Sequence, residues 1–193
     1  MGIISHKVEP HWNYLFAIES DLERLSRFVE FDERNFECFS LEISRVLLAA
    51  SAEVDVVCKQ LCLSLDPTST ADSIKQYQEA ISALTDIPTF EVVLPRFGLS
   101  LTPWSNWSTP SNPPFWWTAH NKVKHHRNTE YDQGNLKNAL NAVAGLFVVV
   151  LYLYREKARL GELVPSLRLL RVSQKHHGGV GHAGHEFSVF YDI

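Results

Sequence analysis

The feature that most constrains this chain of 193 residues is one uncharged apolar stretch, Ala142 to Leu153. Its twelve residues are too few to cross a bilayer, which takes about 20. Apolar residues at helical spacing continue on both sides, so the pattern predicts a helix from about Asn135 to Arg159. A helix that is apolar on nearly all sides has to be covered by other segments, and we expect it to be the central helix of a bundle.

Four further helices are predicted from apolar residues that recur every three or four positions. The first begins at Pro10, and the fourth runs from Phe115 to about His126 after a pair of prolines. The second ends before the turn cluster 66–70, and the third is capped by Thr70 or Asp72. The apolar residues of the first three helices are, in order, Leu15, Ile18, Leu22, Leu25 and Val29; Phe39, Ile43, Val46, Leu47, Ala50, Val54, Val57, Cys58 and Leu61; Ile74, Tyr77, Ile81 and Leu84.

Two segments depart from the helical period. Prolines between Pro88 and Pro114 predict a long irregular loop with a short strand at Phe90–Leu94. Beyond Pro165 the period is about two, and residues 167–172 and 187–191 are predicted to pair as a β-hairpin around the Gly- and His-rich linker 175–185.

The expected fold class is therefore all-α, an antiparallel bundle of about five helices with a long irregular loop and a small C-terminal β-hairpin. The bundle is expected over residues 1–165 and the hairpin appendage over residues 166–193.

Charge is distributed unevenly along the chain. Residues 1–95 contain 7 Lys and Arg against 16 Asp and Glu, whereas residues 96–193 contain 11 against 6, together with seven of the nine histidines. This asymmetry favours an anionic ligand for the second half. Cys58 and Cys62 lie among apolar residues, which predicts reduced core cysteines, and Met1–Lys7 lacks a secretory pattern. We expect a cytoplasmic protein without a membrane partner.

The densest polar chemistry lies between His120 and Arg127, where six of eight side chains can be cationic. On a helix, Trp116, Ala119 and Val123 form the packing stripe, which leaves a polar face beside it. A neutral imidazole can give or take a proton, and nearby cations stabilise phosphate charge. The pattern predicts a phosphodiester site. A solvated cationic helix end that complements the helix dipole is the structural alternative.

The segment Trp116–His125, followed by a long apolar helix, resembles the HEPN (higher eukaryotes and prokaryotes nucleotide-binding) superfamily. Its ribonuclease members carry Arg-Asn-x-x-x-His at the start of a helix. Asn121 matches the motif asparagine and His125 matches the motif histidine, whereas His120 stands where the family has arginine.

The resemblance implies a metal-independent endoribonuclease of a toxin-antitoxin or phage-defence system, acting as a homodimer without a cofactor. His125 would be the acid/base, Asn121 would position phosphate, and His120 would help to stabilise charge. The residues expected to bind phosphate or RNA are Lys122, Lys124, His126 and Arg127. The alternative is a non-catalytic HEPN-like module that binds a nucleotide or a partner protein, such as an antitoxin.

Three further groups have candidate roles. Glu53 lies on the same apolar stripe as other residues of the second helix, so we expect it to border the core. Its carboxylate is expected either to pair with Lys124, Arg127 or one of the histidines, or to reach water. Trp104 and Trp107 either stack bases or, as we favour, pack the long loop. The four histidines in or beside the glycine-rich linker either bind zinc or nickel or belong to a mobile loop, which we favour: His176, His177, His182 and His185.

Overall fold

Helices dominate the computed structural model, which describes residues 9–82, 85–183 and 186–193. Within those residues the helices are α1 (Pro10–Leu25), α2 (Leu41–Leu65), α3 (Ile74–Ile81), α4 (Phe115–Glu130), α5 (Leu136–Leu153) and α6 (Arg155–Leu160). The strands are β1 (Val92–Leu94), β2 (Leu99–Leu101), β3 (Arg171–Val172), β4 (His177–Ala183) and β5 (Glu186–Tyr191). The mainly helical class and the short strand within 90–94 are confirmed.

The central position of α5 follows from its composition. Of its residues, all but Lys137 and Leu153 are buried, and α1, α2 and α4 contact it. The helix is long and apolar enough to span a membrane, but 89% of it is buried inside this chain. The helix starts as predicted, because the Asn135 side chain accepts a hydrogen bond from the backbone N–H of Asn138.

Several helix ends differ from the prediction. The long last helix is broken at Tyr154, whose backbone (φ −103°, ψ 33°) leaves the helical region, so residues 155–160 form α6. Val29 follows the end of α1, and Phe39 precedes the Ser40 cap of α2. The residue that precedes α3 is Ser73 rather than Thr70 or Asp72, and the predicted Leu84 lies outside the described residues.

The predicted pairing of the C-terminal hairpin is wrong. The partner of β5 is β4, which comes from the Gly- and His-rich linker, whereas β3 pairs with β1 in the antiparallel sheet β2-β1-β3. Glycine is depleted from strands in general, so the composition of the linker predicts a loop. Here a Cβ on Gly181 would lie 2.9 Å from the Phe190 ring, so the missing side chain makes room for that aromatic residue.

The loop between Pro88 and Pro114 packs on α5, as we expected. Trp104 is fully buried and its indole N–H donates to the carbonyl of Gly145 at 3.1 Å, while its ring centroid lies 4.2 Å from that of Trp107. Both tryptophans are buried, so neither ring is presented for base stacking.

A buried carboxylate joins α1 to the residues before β3. Glu19 is 2% exposed, and its two oxygens accept hydrogen bonds from the backbone N–H groups of Arg168, Leu169 and Leu170 at 2.8 to 3.0 Å. These bonds satisfy both the carboxylate and three backbone donors, which would otherwise be costly to bury.

Candidate nucleic-acid interface

The position of α4 is fixed by its apolar stripe and by the loop before it. Trp116, Ala119 and Val123 are buried, as predicted. The Trp116 indole N–H donates to the carbonyl of Pro103 at 2.7 Å, and the backbone N–H of Phe115 donates to the Asn106 side chain at 3.3 Å. The loop between Pro88 and Pro114, which we call the Trp-rich loop, thus holds the start of α4 against α5.

The backbone of α4 is interrupted at His126, where φ is −134° and ψ is 34°. The prediction placed the end of the helix at about this residue, and the structure continues helically beyond it to Glu130. Arg127 therefore does not continue the regular face that Asn121 and His125 share one turn apart.

A cavity of about 480 Å³ lies between α2 and α4. This volume is within the range of small-molecule sites, roughly 300 to 1,000 Å³. The α4 residues that line it are Trp117, His120, Asn121 and Lys124, and those of α2 are Leu48, Ser51, Ala52 and Asp55. The Trp-rich loop contributes no residue to this lining.

Two buried polar atoms in the cavity wall have no hydrogen-bond partner within the described part of the chain. They are the Ser51 hydroxyl, in a residue that is 0% exposed, and Nδ1 of His120, in a residue that is 7% exposed. Buried polar groups are normally hydrogen-bonded, and each exception requires an explanation. Both atoms belong to residues that line the cavity.

Burial lowers the pKa of His120 to about 4, and the nearby Lys124 and His125 add to this effect. At neutral pH the imidazole is therefore uncharged. The expectation that His120 stabilises negative charge in place of the motif arginine is not supported by this chemistry, because a neutral ring offers only a hydrogen bond.

Asp55 is a cavity residue that the sequence reasoning missed. Its carboxylate accepts hydrogen bonds from the Tyr77 hydroxyl at 2.8 Å and from Lys59 Nζ at 2.6 Å. Burial and the Asp55 carboxylate raise the pKa of Tyr77, so its hydroxyl stays protonated as a donor. The spacing of Asp55 and Lys59, four residues apart on a helix, was the only available signal in the sequence.

The remaining predicted residues of α4 fall into two groups. Lys122 is half-buried and pairs with Glu130, with 3.1 Å between Nζ and Oε2. The residues that are exposed outside the cavity are His125, His126 and Arg127. Together with Lys124, these three form what we call the α4 cationic edge, and none of its members makes an ion pair within residues 9–82, 85–183 and 186–193.

The predicted partners of Glu53 on α4 are wrong. Glu53 pairs with a histidine of α1, His11, with 2.6 Å between Oε1 and Nδ1, and the other ring nitrogen contacts Gln60 at 2.8 Å. Of the predicted partners, Lys124 and Arg127 are therefore wrong, and the histidine that pairs with Glu53 lies on α1 rather than near the α4 motif, so this carboxylate does not orient the site.

Among the described residues there is no cluster of three or more side chains that could ligate a metal ion. His176 stacks on Phe90 with centroids 4.1 Å apart, and its Nε2 lies 3.3 Å from an oxygen of Asp86. His177 belongs to β4, and His185 lies outside the described residues.

In comparisons with protein-family models, curated proteins and solved structures, nothing matches this chain. The HEPN resemblance of the segment from Trp116 to His125 stays a prediction. Function has to be argued from the cavity and the α4 cationic edge.

The neutral state of His120 predicts a pH dependence of stability. Because the pKa is about 4 in the folded chain and about 6.5 in an unfolded one, the unfolded state binds the proton first as pH falls. Stability should decrease between about pH 6.5 and pH 4, with a slope of at most about 1.4 kcal/mol per pH unit from this residue. In His120→Gln this part of the slope should disappear in urea unfolding.

The matched control is His126→Gln, which changes an exposed histidine of the same helix and should keep the wild-type slope. Equal slopes for wild type and His120→Gln would show that His120 is not buried in its neutral form.

Proposed function

We propose that the protein binds RNA along α4, with the cavity between α2 and α4 beside the bound strand. The observation that carries this proposal is the combination of a cavity, two of whose lining residues have an unpartnered buried polar atom, and exposed basic side chains of α4 that make no ion pair within the described residues. Phosphate groups supply most of the affinity in nucleic-acid binding, and Lys and Arg are their usual partners.

The residues of the α4 cationic edge have distinct expected roles. Lys124 lines the cavity and is exposed, so its ammonium group reaches both solvent and cavity. Arg127 extends the cationic surface beyond the kink at His126, and the exposed imidazoles of His125 and His126 precede it in the sequence. Asn121 provides an amide that donates to phosphate oxygen without a charge. Lys122 contributes least, because its ammonium group already has a carboxylate partner.

Lys124→Ala should weaken RNA binding and reduce its salt dependence. Removal of one phosphate contact lowers the slope of log K against log salt concentration by about 0.7 to 1. The measurement is fluorescence anisotropy with a labelled single-stranded RNA at several salt concentrations. Lys122→Ala is the matched control, and its slope should stay near the wild-type value.

An equal decrease of affinity and salt dependence in both variants would mean that RNA binding depends only on the overall charge of α4. Wild-type chain that binds no RNA at low salt would overturn the proposal.

Endoribonuclease activity is the second candidate function. It is favoured by one observation, namely that Asn121 and His125 are exposed one turn apart, and neither side chain makes a hydrogen bond within the described residues. In this reaction His125 takes the proton of a 2′-hydroxyl, whose oxygen bonds to phosphorus while the bond to the 5′-oxygen breaks. The leaving oxygen takes a proton from water. Asn121 and Lys124 hold the phosphate oxygens.

His125→Ala should abolish cleavage and leave RNA affinity within a few-fold of the wild type, since the lost group acts on the reacting atoms. Product ends analysed by mass spectrometry should be 2′,3′-cyclic phosphates. His126→Ala, which changes the adjacent exposed histidine, should cleave normally. RNA that is bound but left intact by the wild type would identify a non-catalytic binding module instead.

A further inference from the structure

The cavity has two chemically different walls, which makes it more specific than a phosphate site. Lys124 and Asn121 stand on the α4 side, whereas the α2 side presents the Asp55 carboxylate and the Ser51 hydroxyl. A carboxylate repels phosphate, so the α2 side of the cavity does not suit the RNA backbone. It suits a neutral group with hydrogen-bond donors.

An aromatic ring borders this polar space. Trp117 lines the cavity and is half-buried, and its ring centroid lies 5.4 Å from that of His120. Unstacked RNA bases commonly pack on such rings and are read along their hydrogen-bonding edges. The other tryptophans of this region are buried in the core.

We propose that the cavity is a base pocket, in which one nucleobase of the bound RNA stacks on Trp117 and hydrogen-bonds to Ser51, Asp55 and His120. The inference rests on the proposed function, because the strand on α4 delivers the base.

Guanine is the base that fits Asp55. Each carboxylate oxygen already accepts one hydrogen bond, from Tyr77 or from Lys59, and has a further lone-pair site. Two adjacent N–H donors, N1–H and the 2-amino group, lie on the Watson–Crick edge of guanine and can meet both oxygens. Adenine, cytosine and uracil each present one donor beside an acceptor on this edge. Lys124 can donate to the guanine acceptors O6 and N7.

Four RNA pentamers that differ only in a central G, A, C or U between uridines test this pocket with the full chain. The pentamer with central G should bind about tenfold more tightly than the others. Asp55→Asn should remove this preference while binding of the all-uridine pentamer persists.

Ser51→Ala separates a binding role from a structural one. Because the Ser51 hydroxyl has no partner in the described residues, its removal should leave the unfolding midpoint unchanged or raise it. The same change should weaken binding of the G pentamer by about three- to tenfold. Ser64→Ala is the control on the same helix, since its hydroxyl donates to the carbonyl of Leu61 and does not line the cavity. A lower unfolding midpoint in Ser51→Ala with unchanged affinity would overturn the assignment of Ser51.

The pentamer experiment distinguishes failure of the base-pocket proposal from failure of the RNA-binding proposal. Equal affinity for all four pentamers would overturn the base pocket and leave RNA binding intact. If no pentamer binds, the proposed function fails. Titration with the four nucleoside monophosphates then tests whether the cavity binds a base. Preferential binding of guanosine monophosphate would support it, and equal or absent binding would overturn it.

Discussion

Burial of α5 is the constraint on which the rest of the structure depends. A helix with no charged side chain from Ala142 to Leu153 has to be covered on all sides, and α1, α2 and α4 together with the Trp-rich loop provide that cover. Gly145 permits the close approach of Trp116, because a Cβ at this position would lie 2.9 Å from the Trp116 ring. Once Trp116 is set against α5, the adjacent face of α4 is directed toward α2. The candidate site is thus a consequence of how the core closes.

Most buried polar groups discussed above have hydrogen-bond partners, whereas some at the cavity do not. The Glu19 carboxylate meets three backbone donors, and His11 bridges Glu53 and Gln60. By contrast, Ser51 and His120 have polar atoms without partners at the same cavity. The part of the chain that the structure describes has three further atoms of this kind, Ser82 Oγ, Trp107 Nε1 and His176 Nε2, and Ser51 and His120 are the two such residues that line this cavity.

The sequence predicted those features that depend on local periodicity. The apolar stripes placed α1, α2 and α4 within a few residues and located the start of α5, and the Trp116–Val123 stripe was confirmed. Features that depend on distant pairing were not predictable: the glycines of β4 favour a loop, and the pattern around Glu53 does not identify His11 as its partner. Asp55 was missed for the same reason, since only the packing of α2 against α4 brings it near His120. The neutral state of His120 also follows from tertiary burial, which a motif does not encode.

Nuclear magnetic resonance of the five tryptophan indole N–H groups during RNA titration tests the site most directly. Trp12, Trp104 and Trp116 donate to backbone carbonyls inside the fold, and Trp107 is buried, whereas Trp117 borders the cavity. Binding of RNA at the cavity should shift the Trp117 signal and leave the other four nearly unchanged. RNA binding that leaves the Trp117 signal in place would contradict a site between α2 and α4.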